Sequence, residues 1–474
     1  MASKGGETMK MILTFAAATA AIAIGVASVP GAVAAREAPP PPTEPRPFTL
    51  PQMTTYTLDN GMEVTLIPYG NVPKVTLLAA VRTGNIDDGG NVWLADLTGA
   101  LMQKGAGGMD ASQMAEAAAG MGGGISLSTG LNVTTADMDV LSADAPQAIG
   151  LVAQLLQQPD LKAEELEKVR ADLLRNLAVA KSTPESIASE AFQGTIYPDH
   201  PYGRVYPTNE QLAGYTLDQV KAFHAQNFGA ARTHLYVVGQ YDEAGVREAV
   251  AKAFGSWRTG AAPTAMPASV NEEPKVVLID RPGAPQSQVM IGQRVDKPGG
   301  DVAFKAMNTL LGGYFSSRIT RNIREDKGFT YSPHGVFSDR VEGAHWLEEA
   351  AVTAEATGPA ITEIYKEVRR MQDEPPSAGE VQGIKNYMNG TFVIGLASRG
   401  GMANSLATYD LLGLGADYLN SYVGKVSALT AADFQNAAKK ELPINRMSVV
   451  VVGPLESVRP QLEKVTEIAG ELPE

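Results

Sequence analysis

The stretch MSVVVVG, Met447–Gly453, repeats an earlier one, HLYVVG at His234–Gly239. Short valine-rich runs closed by glycine read as strands. Each run follows an amphipathic helix with a threonine at its start, Thr216-Leu217-Asp218 before the first and Thr430-Ala431-Ala432-Asp433 before the second. The same 214-residue offset separates Thr216 from Thr430 and Gly239 from Gly453. Two separations that agree over such a distance predict two copies of one unit that mixes helices and strands. Between them lies Thr259–Pro274, TGAAPTAMPASVNEEP, which has three prolines and no periodicity and reads as an interdomain linker. The expected domains are therefore residues 51–258 and 275–474.

Within the first copy, Tyr56–Val64 alternates apolar and polar residues around Asn60-Gly61, the signal of a type I′ hairpin. Asp110 with Gln113 three residues on forms a capping box, so Ala111–Gly120 is expected to be a short helix. Strands are expected at Ile125–Thr129 and Val133–Leu141, and helices at Ala145–Leu156 and Ala163–Ala180. The predicted class is α+β, a mainly antiparallel sheet covered by helices on one side.

Two segments carry a family resemblance. In WLADLTGALMQKG, Trp93–Gly105, the residues Leu94, Leu97 and Leu101 fall at helical spacing and define a buried face. In LLGGYFSSRITRNIREDKGFTYS, Leu310–Ser332, the whole run is similar, without a gap, to a C-terminal segment of the M16 metallopeptidases, the pitrilysin and mitochondrial-processing-peptidase family. The resemblance implies two homologous M16/LuxS-type metallohydrolase-like domains forming half of a clam shell. It also implies that the Leu94–Leu101 helix is the place of the inverted zinc motif HxxEH. Here Asp96, Gly99 and Ala100 stand at those three positions, and Asn176 stands where the third ligand, a glutamate, is expected. A zinc site needs deprotonated, electron-rich ligands close to the ion, and one aspartate beside Gly, Ala and Asn cannot supply them. The chain is thus expected to hold no metal or cofactor of its own, the zinc residing in a partner subunit that bears HxxEH.

By the same resemblance Arg324 and Tyr331 are the Arg/Tyr couple that faces the zinc across the active chamber. A guanidinium and a phenol are fixed donors able to hold a scissile carbonyl and stabilise the oxyanion formed when the amide is attacked. Taken singly, Arg324 reads as a solvated helix charge and Tyr331 as a core strand residue; the motif gives them a catalytic reading. Gly122–Ser128, GGGISLS, stands at the family's spacing for an edge strand that receives a peptide by β-augmentation, with Gly124, Ile125 and Ser126 as candidate contacts. A plain glycine turn into an ordinary strand fits the same residues. A phosphate loop does not, because no Lys-Ser/Thr follows and a strand comes next.

Residues 1–35 hold Lys4 and Lys10 ahead of the apolar run Met11–Ala27 and the small residues Ala32-Val33-Ala34, the pattern of a signal peptide cleaved near Ala34 or Ala35. Export to a periplasm, with no stable membrane span after cleavage, is the expectation, followed by a proline-rich tether over 36–50. There is no cysteine, which excludes a disulfide framework and any thiolate metal site. The net charge of −13 argues against nucleic acid as a partner; peptides as substrates are what the M16 resemblance implies. None of the five histidines has a ligand-spaced partner; His345-Trp346-Leu347-Glu348-Glu349 is a partial HxxE with Glu349 where a second histidine belongs, and strand is expected there. Two functions remain: the Arg/Tyr-bearing subunit of a heterodimeric zinc endopeptidase, or an inert M16-fold scaffold or peptide-binding protein.

Overall fold

The computed structural model describes residues 48–269, 273–295, 300–463 and 465. The expected leader, and the tether as far as residue 47, lie outside the described residues. In the first half β1 (Thr54–Thr57), β2 (Glu63–Pro68) and β3 (Lys74–Val81) are followed by a short ribbon, β4 (Gly105–Ala106) and β5 (Met109–Asp110). Then come β6 (Ile125–Thr129), β7 (Thr134–Leu141) and β8 (Thr233–Gly239). The second half contributes β9 (Val276–Asp280), β10 (Gln286–Val295), β11 (His334–Arg340), β12 (Gly343–Thr353) and β13 (Ser448–Gly453).

The duplication is visible in how these strands join. The first sheet runs β1-β2-β8-β3-β7-β6 and the second β9-β13-β10-β12-β11, so five strands recur in the same spatial order, with β1 added at one edge. The parallel pairs are β2 with β8 and β9 with β13, and the other pairings in the two sheets are antiparallel. Capping boxes at Thr216 and Thr430 start the helices Leu217–Asn227 and Ala431–Glu441 that lead into β8 and β13. The molecule is a two-domain fold of mixed sheets and helices.

Helices α1 (Leu94–Met102), α2 (Ala111–Gly120), α3 (Ala145–Gln157) and α4 (Ala163–Ala180) bury the first core, in which Leu97, Leu101, Ile149 and Leu177 meet Val75, Leu77 and Val237 of the sheet. The opposite faces are not left to solvent, as covering on one side would require. Ile67, Leu78, Tyr236 and Val238 of the first sheet pack on Leu396, Met402, Ala403 and Leu406 of the second half. Reciprocally, α5 (Pro184–Ile196) of the first half lays Ala188, Phe192 and Ile196 on Met290, Val450 and Val452 of the second sheet. Unbroken apolar strands such as Val449–Val452 follow from this, since a strand covered on both faces has no solvent side to make polar. Phe192 is fully buried in that contact; truncating such a residue to alanine typically costs about 3–5 kcal/mol.

The turn between β1 and β2 differs from the type I′ expectation. Gly61 alone has the left-handed φ, +91°, and Gly61 N donates to Leu58 O at 2.8 Å, which gives a three-residue loop ending in a glycine bulge. Asn60 keeps an ordinary φ because its side chain is committed elsewhere, donating to the carbonyls of Phe254 at 2.7 Å and Trp257 at 2.9 Å. The end of the expected tether is also not free. Leu50 is buried and its N–H donates to Asn420 Oδ1 at 2.8 Å, while Phe48 packs edge-on against Phe392.

Candidate functional site

Asp301 caps the helix Val302–Asn308, which continues into a wide π-type turn, Thr309–Gly313. Gly312 is required there: any Cβ would run into the carboxyl of Glu348, which is fully buried on β12. Ser317 caps the next turn by accepting from Thr320 N at 3.3 Å, and a second π-type turn, Arg321–Asp326, follows. Such turns recur at functional sites because they reorient side chains that a regular helix would place elsewhere. Gly328, at φ +64°, then reverses the chain, with Gly328 N donating to Arg324 O at 3.2 Å and Phe329 N to Ile323 O at 2.8 Å. Thr330 Oγ1 donates to Ala351 O at 2.6 Å, tying the returning segment to β12.

These constraints bring Arg324 and Tyr331 side by side. The guanidinium carbon of Arg324 lies 5.3 Å from the Tyr331 ring centroid and 4.1 Å from that of Phe315. Tyr331 is 80% and Phe315 68% exposed, so the reading of Tyr331 as a core strand residue does not hold. The two arms border a pocket of about 370 Å³ with Tyr314, His334 and Tyr387. Ring faces hold a guanidinium without consuming its N–H donors, and Arg324 has no ion-pair partner among the described residues. Behind the pocket Arg318 is clamped to Glu380 by bonds of 2.8 and 3.1 Å, which hold the Glu380 carboxyl down to about 2. That clamp fixes the Arg324 turn to the helix Ala378–Gly395, which carries Tyr387. The sequence reading missed Phe315 and Tyr387. Phe315 stands inside the quoted motif, whereas no local signal marks Tyr387.

The positions expected to be a vacant zinc site form a different network. Asn85 Nδ2 donates to Asp96 Oδ2 at 2.5 Å and to Asp88 Oδ2 at 3.2 Å. Asp88 also accepts from Trp93 N at 2.9 Å and Ala95 N at 2.7 Å, capping α1. Burial pushes Asp88 up to about 7 and raises Asp96 as well. At Gly99 the space a side chain would take is filled by the Thr129 hydroxyl of β6. Ala100 is half-buried and Asn176 is exposed on α4, which packs on α1. Among the described residues no three His, Cys, Asp or Glu side chains are grouped to hold a metal. A donor set of one hydrogen-bonded aspartate does not fit zinc.

Gly124, Ile125 and Ser126 lie at the start of β6, the edge strand of the first sheet, which pairs only with β7. Ser126 Oγ donates to Asp137 Oδ1 at 2.5 Å. Arg324 and Tyr331 precede β11, the corresponding edge of the second sheet, so the two groups of candidates sit on different sheets. His345 is buried in β12 with Nδ1 3.2 Å from the Tyr197 hydroxyl, and His200 accepts from Tyr202 N at 3.1 Å. Among the described residues no helix is long and apolar enough to cross a membrane.

Residues 70–206 match the family described as Insulinase (Peptidase family M16), and residues 214–388 match the Peptidase M16 inactive domain. A protein of Mycobacterium tuberculosis called an uncharacterized zinc protease is 24% identical over 437 residues, 90% of this chain and 99% of that one. Among solved structures, a peptidase M16 inactive domain from Pseudomonas fluorescens superposes with a TM-score of 0.79 at 22% identity, covering 85% of this chain and 98% of that one. The periplasmic protease PqqL of Escherichia coli gives 0.73 at 19% identity, covering 86% of this chain and 46% of that one.

Proposed function

Because the chain belongs to the M16 peptidase family, we propose that it is the Arg/Tyr-bearing subunit, of the subfamily B type, of a heterodimeric zinc endopeptidase. Its own HxxEH positions are lost, and a second M16 subunit bearing that motif supplies the zinc. The observation that carries the proposal is the pairing of Arg324 with Tyr331 at an exposed pocket, the guanidinium over the rings of Phe315 and Tyr331 with no ion-pair partner among the described residues. A scaffold has no chemical need for such an arrangement.

In this reading the chain does three things. The edge strand β6, through Gly124, Ile125 and Ser126, pairs with an extended peptide. The Tyr331 hydroxyl and the Arg324 fork donate to the scissile carbonyl and hold the charge that develops on its oxygen. The aromatic surroundings, Phe315 and Tyr387, keep Arg324 in place and narrow the water around it. Export to the periplasm after cleavage near Ala34 completes the proposal, and N-terminal sequencing of the mature chain checks it.

The experiment is reconstitution. The mature chain alone is expected to contain no stoichiometric zinc and to cleave no fluorogenic peptide, whereas mixing with an HxxEH-bearing M16 subunit from the same genome produces a heterodimer and chelator-sensitive hydrolysis. One tightly bound zinc and activity in this chain alone would refute the proposal. Absence of association with any such subunit at micromolar concentration would favour the scaffold.

A further inference from the structure

A second pocket, about 270 Å³, opens where the two halves meet and shares no lining residue with the Arg324 pocket. Asn85 and Trp93 enter it from the first half, with Ser189 and Gln193 of α5; Arg204 and Arg340 supply its charge. No acidic side chain lines it.

Arg340 is the anomaly. Its Nη1 donates to Gln193 Oε1 at 3.2 Å and its Nε to Ser338 Oγ at 3.1 Å, and its guanidinium carbon lies 4.9 Å from the Tyr202 ring and 5.5 Å from the Tyr197 ring. All of these neighbours are neutral. No carboxylate pairs with Arg340 among the described residues, and burial pulls its pKa down. A largely buried cation without a counter-charge is unfavourable, and a native protein that keeps one ordinarily has an anion to meet it. Trp93, which forms part of the wall, holds a left-handed φ of +68°, a strained conformation for so bulky a residue and one that tends to persist at binding sites.

The strand β11 connects the two pockets. His334, its first residue, lines the Arg324 pocket, and Arg340, its last, lines this one. Six extended steps span about 20 Å. A peptide laid along that edge therefore reaches from one pocket to the other. The planar guanidinium fork matches a carboxylate in two parallel bonds, and Leu131, Trp93 and Val205 leave an apolar wall for a terminal side chain.

We propose that this pocket binds the C-terminal carboxylate of a peptide through Arg340 and Arg204. The choice of a peptide as ligand rests on the peptidase reading, but the site is tested without it. The mature chain alone, with no partner and no metal, is titrated with an N-acetylated tripeptide acid, the same tripeptide as its C-terminal amide, and inorganic phosphate, following tryptophan fluorescence, to which Trp93 contributes, and the thermal midpoint. The acid is expected to bind saturably, at least about tenfold more tightly than the amide or phosphate. Arg340→Gln is expected to weaken the acid by about the same factor while folding normally, since it removes a buried charge; Arg204→Gln, at the exposed rim, does so to a lesser extent. Equal binding of acid and amide, tighter binding of phosphate, or no saturable change with any of the three would overturn the proposal. Loss of hydrolysis by the reconstituted pair with acid binding intact would instead count against the catalytic reading alone.

Discussion

Asp88 sits where an ionised carboxylate is poorly solvated, and burial is the main reason its pKa rises from 3.8 to about 7. The sign follows directly: the folded state holds a proton that the unfolded state has released, so Asp88 contributes stability that is full below about pH 4 and is lost as pH rises through 7. Asp88→Asn cannot ionise and still offers one acceptor to the start of α1. Its stability relative to the native chain should therefore improve by about 2 kcal/mol between pH 5 and pH 8, as read by urea unfolding at each pH. A constant difference across that range would show that Asp88 is charged throughout. The network occupies the end of α1 where the resemblance implies the zinc motif. Asp96 is legible in the sequence as a misplaced ligand, but its partner Asn85, eleven residues upstream, and the Thr129 hydroxyl that closes off Gly99 are tertiary facts that no helical spacing encodes.

At the scale of elements, the Arg318–Glu380 clamp sets the position of the Arg324 turn against the helix Ala378–Gly395. Arg318 is nearly buried and Glu380 is partly exposed, 7% and 29% by side chain, so the pair is stronger than a surface bridge and weaker than a fully buried one. Glu380→Gln should cost about 2 kcal/mol at pH 7. Because the Glu380 carboxyl is held down to about 2, its contribution is present above about pH 4.5 and is lost as pH falls toward 2, and the gap between variant and native chain should shrink over that range. Unfolding curves at pH 7 and pH 3 with identical gaps would contradict the clamp. Helices and strands were the most readable level: Ala111–Gly120, Ala163–Ala180 and Ile125–Thr129 stand at the residues the sequence leads one to expect. The Asn60-Gly61 turn was misread because the Asn60 side chain bonds to carbonyls near residue 255, which local turn chemistry cannot anticipate.

Over the whole molecule, the 214-residue repeat in the sequence reappears as five strands in matching order, so the duplication was legible. The reciprocal covering was not, although the unbroken apolar runs of β3 and β13 carry its signal. The halves are further joined by Arg399, which bonds Asp139 at 2.8 and 3.1 Å, and by Asp410, whose Oδ2 lies 2.9 Å from His234 Nδ1 and accepts from the Tyr236 hydroxyl at 2.6 Å. Residues 48–258 produced alone would leave Ile67, Leu78 and Val238 uncovered, and this fragment should bind a hydrophobic dye and fail to unfold cooperatively; a cooperative, dye-silent fragment would contradict the mutual dependence. A rigid frame of this kind is what the proposed role of Arg324 and Tyr331 would require, since both donors must meet one carbonyl.

The most direct measurement of that role is the turnover of Tyr331→Phe and Arg324→Lys in the reconstituted heterodimer with one fluorogenic peptide. The phenylalanine keeps the ring beside Arg324 and removes a single hydroxyl donor, and the lysine keeps a charge but not the planar fork. Both variants should assemble as the native chain does, and kcat should fall about 10²- to 10³-fold in each. Native kcat in both variants, with assembly intact, would contradict a catalytic role for the pair and leave this chain as a wall of the chamber.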